Sequence, residues 1–500
     1  MTRKPADLTL PVYLRPVILV VFVAALTGLK LWSAANAHFV EDEAYYRLWG
    51  LSPALGYYDH PPMIAWWIWA GQAVFGDTPL GVRALVVFSS ALGSFFLWRT
   101  ADILFDRLVA GWSVLFLNAS ILVGVGGILA TPDAPSVFFW GLALWALAEL
   151  HSSQKPNWLL AVGLFAGLGL DSKYSVLFLG AGITLWLVLV PSARHWFRTW
   201  QLWAGGLIAL LCFVPVLYWN HLHDWVSFYK QFGRAAQGGW TSKYIFEFIG
   251  AVLGLANPLI AILAVLGAFG LGRKAIRGDA GAGLLILTIS PFLAYLLFHS
   301  LHARVQANWP APLFPTFALM AAWFVGTSSQ KVWRYLALAG VILGVVVAVI
   351  VQVHAVSPIS GKLARKDPTF QLRGWPEAGE KVAELAYKEG AAYIATTGYG
   401  LNGQLAFLFA GDLPVIQLNE RIRYAMEKDV DDALFERPGL YVSEERRDDS
   451  AALSRSYKNV EKLAVLPRTV KGVLLENLVV YVVSDPVAVP LEPVNNIRAK

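Results

Sequence analysis

Four short stretches in the apolar part of this 500-residue sequence group polar residues with chemical reach. The first runs Glu41-Asp42-Glu43, passes Tyr45-Tyr46, and continues as Gly56-Tyr57-Tyr58-Asp59-His60-Pro61-Pro62. Its acidic groups adjoin aromatic rings rather than Ser, Lys or Gly, which points to partial burial, and a carboxylate so placed can take a proton from a reacting group. The second, Thr131-Pro132-Asp133-Ala134-Pro135, is a ring-stiffened connection with one carboxylate; Thr131 or Asp133 is expected to cap the helix that follows. The third, Asp171-Ser172-Lys173-Tyr174, carries an ammonium that either snorkels to the interface or meets an anionic head group. In the fourth, His302, Arg304, Gln306 and Asn308 alternate with apolar residues, so an extended backbone would point all four polar groups one way. Cations suit a phosphate, carboxylates suit proton abstraction, and aromatic walls suit sugar rings and lipid chains. Each stretch also has a plainer reading, as a solvated loop or a helix cap.

The elements that must position these stretches are membrane helices. Apolar residues make up 57% of the chain and charged residues 15%, against about 25% charge in soluble domains. Of the 21 Trp, 20 precede residue 355, as do all nine His. Beyond it the long apolar runs stop and charge becomes dense, as in Gly361–Pro368 and Glu444–Ser450. The chain therefore divides into a membrane domain, 1–354, and a soluble domain, 355–500. The single Cys212 leaves no intramolecular disulfide, and the net charge of +6 belongs to a membrane chain rather than to a nucleic-acid binder.

A span needs about 20 apolar residues. Such runs fall near 15–35, 80–104, 109–130, 134–150, 157–171, 174–191, 201–219, 246–270, 281–299, 309–327 and 333–354. One helix from Trp158 to Val190 would be too long for a single span and would bury Asp171 and Lys173 at mid-membrane, so a turn is expected there, giving about eleven transmembrane helices. The first run continues into a multi-span pattern and lacks a small-residue cleavage site, so no cleavable signal is expected. With the N-terminus inside, thirteen Lys and Arg (Arg3 and Lys4 among them) fall in cytoplasmic loops against six outside (Arg234 among them), about two to one. All four polar stretches then lie on the outer face, and so does the C-terminal domain. Within it strand-like runs (392–397, 414–418, 439–442, 478–483) alternate with helical ones (376–388, 402–409), which reads as a small α/β unit. Pro61-Pro62 opens a Trp-rich amphipathic helix (Trp66, Trp67, Trp69) suited to the interface. The architecture is a polytopic α-helical membrane protein with outer-face loop helices and a small C-terminal α/β soluble domain.

The Gly-rich runs Gly124–Gly127 and Gly163–Gly169 mark close helix packing. His221 and His223 with Asp224 are a weak metal pattern; no metal site and no cofactor are expected. There is no phosphate-cradling Gly loop, dinucleotide fingerprint or Ser nucleophile motif.

Taken in order, several motifs resemble the membrane glycosyltransferases of the protein O-mannosyltransferase and lipid A aminoarabinose transferase group, in the glycosyltransferase C superfamily. They are Asp42-Glu43, Gly56–Pro62, Phe75-Gly76-Asp77 with Gly81-Val82-Arg83, Thr131–Pro135, Ser172-Lys173-Tyr174 and, later, Asn308–Pro312. The resemblance implies an inverting transfer of a hexosyl or pentosyl group from a polyprenyl-phosphate carrier to a hydroxyl of lipid A, an envelope glycan or a protein. The setting implied is the periplasmic side of a bacterial inner membrane, with membrane lipids around the chain and no nucleic acid partner. It also implies Asp42 as general base with Glu43 beside it. Lys173, Arg304 and His60 are the candidates for the donor phosphate. Tyr57, Tyr58, Asp59, Asp133, His302, Gln306 and Asn308 are candidates for the donor and acceptor pocket. Aminoarabinose-transferring members commonly carry Lys before the Pro-Pro pair, where this chain has His60; that weighs against an aminoarabinose donor and against a phosphate role for His60. Other readings are a flippase or transporter for a lipid-linked saccharide, which would show internal repeats and charges at mid-membrane, and an envelope scaffold.

Overall fold

The computed structural model describes residues 10–233 and 239–494. Arg3, Lys4 and Arg234 of the Lys/Arg count lie outside them. The described chain packs as two compact units. One holds residues 1–32, 60–64 and 84–352; the other holds 33–59, 65–83 and 353–500.

The first unit is helical. Among the described residues, six helices of the chain are long and apolar enough to cross a membrane: Pro16–Asn36, Pro79–Leu104, Trp200–Leu222, Pro258–Ile276, Ala280–His299 and Lys331–Val356. Two bent pairs, Arg107–Ala119 with Ile121–Ile128 and Tyr174–Leu189 with Pro191–Arg198, raise the number to eight if each is one span. The expected turn at Asp171–Lys173 is present between the helices Trp158–Leu170 and Leu177–Leu189. A β-carbon on Gly163 would fall 2.0 Å from the carbonyl oxygen of Gly205, so these two glycines let the Trp158–Leu170 and Trp200–Leu222 backbones touch.

One expected span is corrected. The apolar run 246–270 is not a single helix but two, Lys243–Leu255 and Pro258–Ile276. Pro258 cannot donate into a continuing helix and starts a new one. Asn257 turns the chain at φ +70° and accepts the Leu259 N–H with its side chain. Its amide donates to the Gly340 carbonyl at 2.7 Å, so the break is tied to a neighbouring helix.

The second unit contains a five-stranded mixed sheet: β1 Ile394–Thr396, β2 Val415–Gln417, β3 Gly439–Glu444, β4 Tyr457–Val470 and β5 Val473–Pro486, in the order β2-β1-β3-β5-β4. Strands β2, β1 and β3 are parallel, and β3, β5 and β4 run antiparallel. Apolar clusters cover both faces, one around Trp375, Val382, Leu405 and Val480, the other around Tyr393, Ile416, Tyr441 and Val483. β4 has no counterpart among the strands read from the sequence. It is an edge strand that exposes Lys458, Glu461 and Lys462, and such charges keep an open edge from pairing further. Lys471 (φ +47°) and Gly472 (φ +75°) close the β4–β5 hairpin, the two left-handed positions a tight primed turn requires.

Candidate active site

In the second unit the helix Glu41–Leu51 carries the acidic stretch. Asp42 is exposed and Glu43 is fully buried. Two arginines fix this helix one turn apart. Arg83 grips Glu43 with both prongs, Nε to Oε1 at 2.8 Å and Nη2 to Oε2 at 2.7 Å. Its remaining N–H groups donate to the carbonyls of Ala37 (2.6 Å), His38 (2.7 Å) and Ala34 (3.2 Å), beyond the helix start. Glu43 Oε2 also accepts the Val40 N–H at 3.2 Å, the backward half of a capping box. One turn on, Arg47 pairs with Asp77, its Nε donating to Oδ1 at 2.7 Å. Thus Phe75–Asp77 and Gly81–Arg83 hold the helix that presents Asp42.

The C-terminal segment contributes groups at and near Asp42. Tyr399 donates its hydroxyl to Asp42 Oδ1 at 3.0 Å. Arg423 donates to Asp59 Oδ2 at 2.5 Å and to Glu420 Oε2 at 2.8 Å, and its guanidinium lies over the rings of Tyr399 (4.8 Å) and Tyr58 (5.4 Å). Tyr45 gives its hydroxyl to the same Asp59 oxygen at 2.9 Å. Tyr57 is stacked on Trp49 at 4.1 Å, and its hydroxyl accepts the Ala54 N–H at 2.8 Å, so it shapes the loop from within.

His38 lies in the same unit, packed against Phe39, Phe407 and Trp375. Its Nε2 is buried without a hydrogen-bond partner among the described residues. Burial, aided by the charges of Arg83 and Arg468, pushes the imidazole down to about 4. The unfolded chain therefore takes up a proton from about pH 6.5 downward while the folded one does not, so the unit's stability is complete above about 6.5 and falls as pH drops toward 4. We expect a loss on the order of 2 kcal/mol between pH 7.5 and 4.5 from this group, removed in His38→Gln. Melting curves at the two pH values check this; equal acid sensitivity in the variant would refute it.

The first unit holds the other candidates. Lys173 donates to Asp133 Oδ1 at 2.5 Å, and Asn308 donates to Asp133 Oδ2 at 2.6 Å. Three of the four stretches thus meet on one carboxylate. Neither Thr131 nor Asp133 caps: the helix Asp133–Ser153 has Pro132 at its N-cap position with no side-chain bond, and Asp133 is spent on Lys173 and Asn308. The aligned strip is also corrected. Residues 301–303 and 307–310 are turns, so alternation does not carry through. His302 bonds the Phe298 carbonyl and packs on Trp240. Arg304 is mostly exposed and pairs with Glu247 at 3.2 Å, and Gln306 is exposed. His60 is half-buried, one residue before the Pro pair.

His223 stacks on Trp219 at 4.0 Å, and no group of three or more His, Cys, Asp or Glu among the described residues could hold a metal ion. Tyr399, Arg423 and Lys30 are not among the residues that sequence reasoning singles out. Lys30 is buried in the Pro16–Asn36 helix and donates to Ser90 Oγ at 3.0 Å; its signal is a lone charge inside an apolar run. Tyr399 and Arg423 sit in a segment with no local motif.

Comparison with known proteins agrees with the motifs. The family model for dolichyl-phosphate-mannose-protein mannosyltransferases matches residues 59–219. A lipid A galacturonosyltransferase of Rhizobium johnstonii is 26% identical over 306 residues, 60% of this chain and 64% of that protein. An undecaprenyl phosphate-alpha-4-amino-4-deoxy-L-arabinose arabinosyl transferase of Pseudomonas aeruginosa is 28% identical over 216 residues, 40% of this chain and 37% of that one. The chain thus spans less than two thirds of either relative. The fold is that of ArnT from Cupriavidus metallidurans, solved bound to undecaprenyl phosphate: TM-score 0.65 at 15% identity, covering 95% of this chain and 99% of that one. Together these support the resemblance to glycosyltransferase C superfamily transferases of the O-mannosyltransferase and aminoarabinose transferase type.

Proposed function

We propose that this chain, of the glycosyltransferase C type, moves a sugar from a polyprenyl-phosphate carrier to a hydroxyl of lipid A, an envelope glycan or a protein, with inversion. The observation that carries the reading is Asp42: an exposed carboxylate on a helix locked by two arginine–carboxylate pairs. The acceptor oxygen attacks the anomeric carbon and its proton passes to Asp42. The bond from that carbon to the phosphate oxygen breaks, and polyprenyl phosphate leaves with the electron pair. The leaving group is already a stable anion, so cations replace a general acid. Lys173 and Arg304 serve that phosphate, with His60 third; Glu43, held by Arg83, fixes the helix that carries Asp42. Asp133, Asn308, Tyr57, Tyr58, Asp59, His302 and Gln306 shape the surroundings of donor and acceptor.

The setting proposed is a bacterial inner membrane crossed eleven times, with the N-terminus cytoplasmic and residues 355–500 periplasmic, a division of the chain at 354/355. That count takes the six long helices, the two bent pairs, and Asp133–Ser153, Trp158–Leu170 and Ala311–Thr327 as one span each. The Lys/Arg asymmetry supports the orientation.

Mass spectrometry of envelope lipids and glycans with and without the gene product tests the reaction class; an unchanged sugar complement would overturn it. For the phosphate, Lys173→Ala should weaken binding of undecaprenyl phosphate about tenfold, and Arg304→Ala less, because its exposed charge is screened. Unchanged carrier affinity in both would move the phosphate elsewhere.

A further inference from the structure

One residue that touches Asp42 lies 357 positions further along the chain, and its seat is built for close approach. The helix Tyr399–Leu408 lies against the helix Glu41–Leu51 through two glycines. A β-carbon on Gly403 would fall 2.6 Å from the Ala44 carbonyl carbon and the Tyr45 nitrogen, and one on Gly400 would fall 2.8 Å from the Glu41 β-carbon. No other residue type allows this spacing without a shift. The contact brings Tyr399, the first residue of its helix, to Asp42 Oδ1. The Tyr399 ring is fixed on both sides, edge-on to Tyr45 at 5.2 Å and beneath the Arg423 guanidinium at 4.8 Å. Burial, with Asp42 adding to it, pushes the phenol well above its usual range, so Tyr399 keeps its proton and donates.

We propose that Tyr399 is a positioning residue for the transfer reaction: its hydroxyl fixes the rotamer of the Asp42 carboxylate and stabilises its charged form. The inference rests on the reading of Asp42 as the base. It gives the C-terminal segment a catalytic duty, since the sheet-bearing part of the second unit supplies the group that orients the base. A donor held on Oδ1 directs proton uptake to the other oxygen and keeps the carboxylate ionised at lower pH.

The test uses the full-length protein and two readouts. The first needs no turnover: carbodiimide labelling of Asp42 against pH, read by peptide mass spectrometry, gives the midpoint at which its carboxyl protonates. Tyr399→Phe keeps the ring packing and removes only the hydroxyl; the midpoint should rise by about one pH unit. Gly403→Ala keeps Tyr399 but lifts its helix from Ala44, and should move the midpoint in the same direction. The second readout is transfer from undecaprenyl-phosphate-linked galacturonic acid, aminoarabinose or mannose, whichever the wild type turns over. There Tyr399→Phe should lower kcat about 10- to 100-fold, shift the acidic limb of the pH profile upward, and leave undecaprenyl phosphate affinity unchanged. An unmoved labelling midpoint in Tyr399→Phe overturns the inference, even if Asp42→Asn is inactive. A moved midpoint together with a fully active Asp42→Asn would instead retain the Tyr399–Asp42 coupling and refute the base reading.

Discussion

Asp42→Asn should fold, bind undecaprenyl phosphate with unchanged affinity, and transfer sugar about 10²- to 10⁴-fold more slowly than wild type, the range expected for loss of a general base. The amide has the shape of the carboxylate and can still accept the Tyr399 hydroxyl, so the helix Glu41–Leu51 keeps its position while losing its proton acceptor. That separation is what makes the variant informative. An alanine would also remove the partner of Tyr399 and confound chemistry with structure. The rate of product formation per enzyme, measured by mass spectrometry, and carrier binding, measured by titration, must therefore diverge. Wild-type transfer by the asparagine variant would show that some other group accepts the proton.

Arg83→Ala has the largest expected effect on stability, about 3–5 kcal/mol. Both members of the Arg83–Glu43 pair are fully buried. Removing the guanidinium strips the bidentate partner from a buried carboxylate and also three backbone carbonyls of their donor. Lysine should not restore the loss, because a single ammonium cannot reproduce a planar fork that reaches two carboxylate oxygens and three carbonyls. Combining Arg83→Met with Glu43→Gln should recover part of it by removing the buried charge along with its counterion, and a double-mutant cycle on melting temperature measures the coupling. A cost below about 1 kcal/mol for Arg83→Ala would mean that the pair does not hold the helix.

Long-period signals in the chain were readable from sequence, and pairings between distant segments were not. Apolar runs located most helices within a few residues because lipid-facing helices need continuous apolar surface. The same averaging hid the break at Asn257-Pro258, where two residues outweigh the apolar run around them. β4 escaped because its outward charges dilute the strand pattern, although Lys471-Gly472 marks the turn. The four polar stretches were visible as exceptions in an apolar chain, and Asp133 gathers Lys173 and Asn308 from two others. Alternation misled at His302–Asn308, because period two has meaning only on an extended backbone. Tyr399 and Arg423 carry no local signature at all. Tyr399 meets Asp42 through a glycine contact with a helix far earlier in the chain, and Arg423 meets Asp59 364 positions earlier; neither pairing is encoded by a local pattern.

That glycine contact has a consequence for anyone recombining such proteins. The tail is not a detachable cassette. Its helix at Tyr399–Leu408 is cut to the contour of the loop helix at Glu41–Leu51, glycine against backbone, with no slack for a foreign side chain. A chimera that exchanges residues 353–500 alone would set a new surface against an old mould. The exchangeable piece is discontinuous, 33–59 and 65–83 together with 353–500, and grafts should be drawn along that seam.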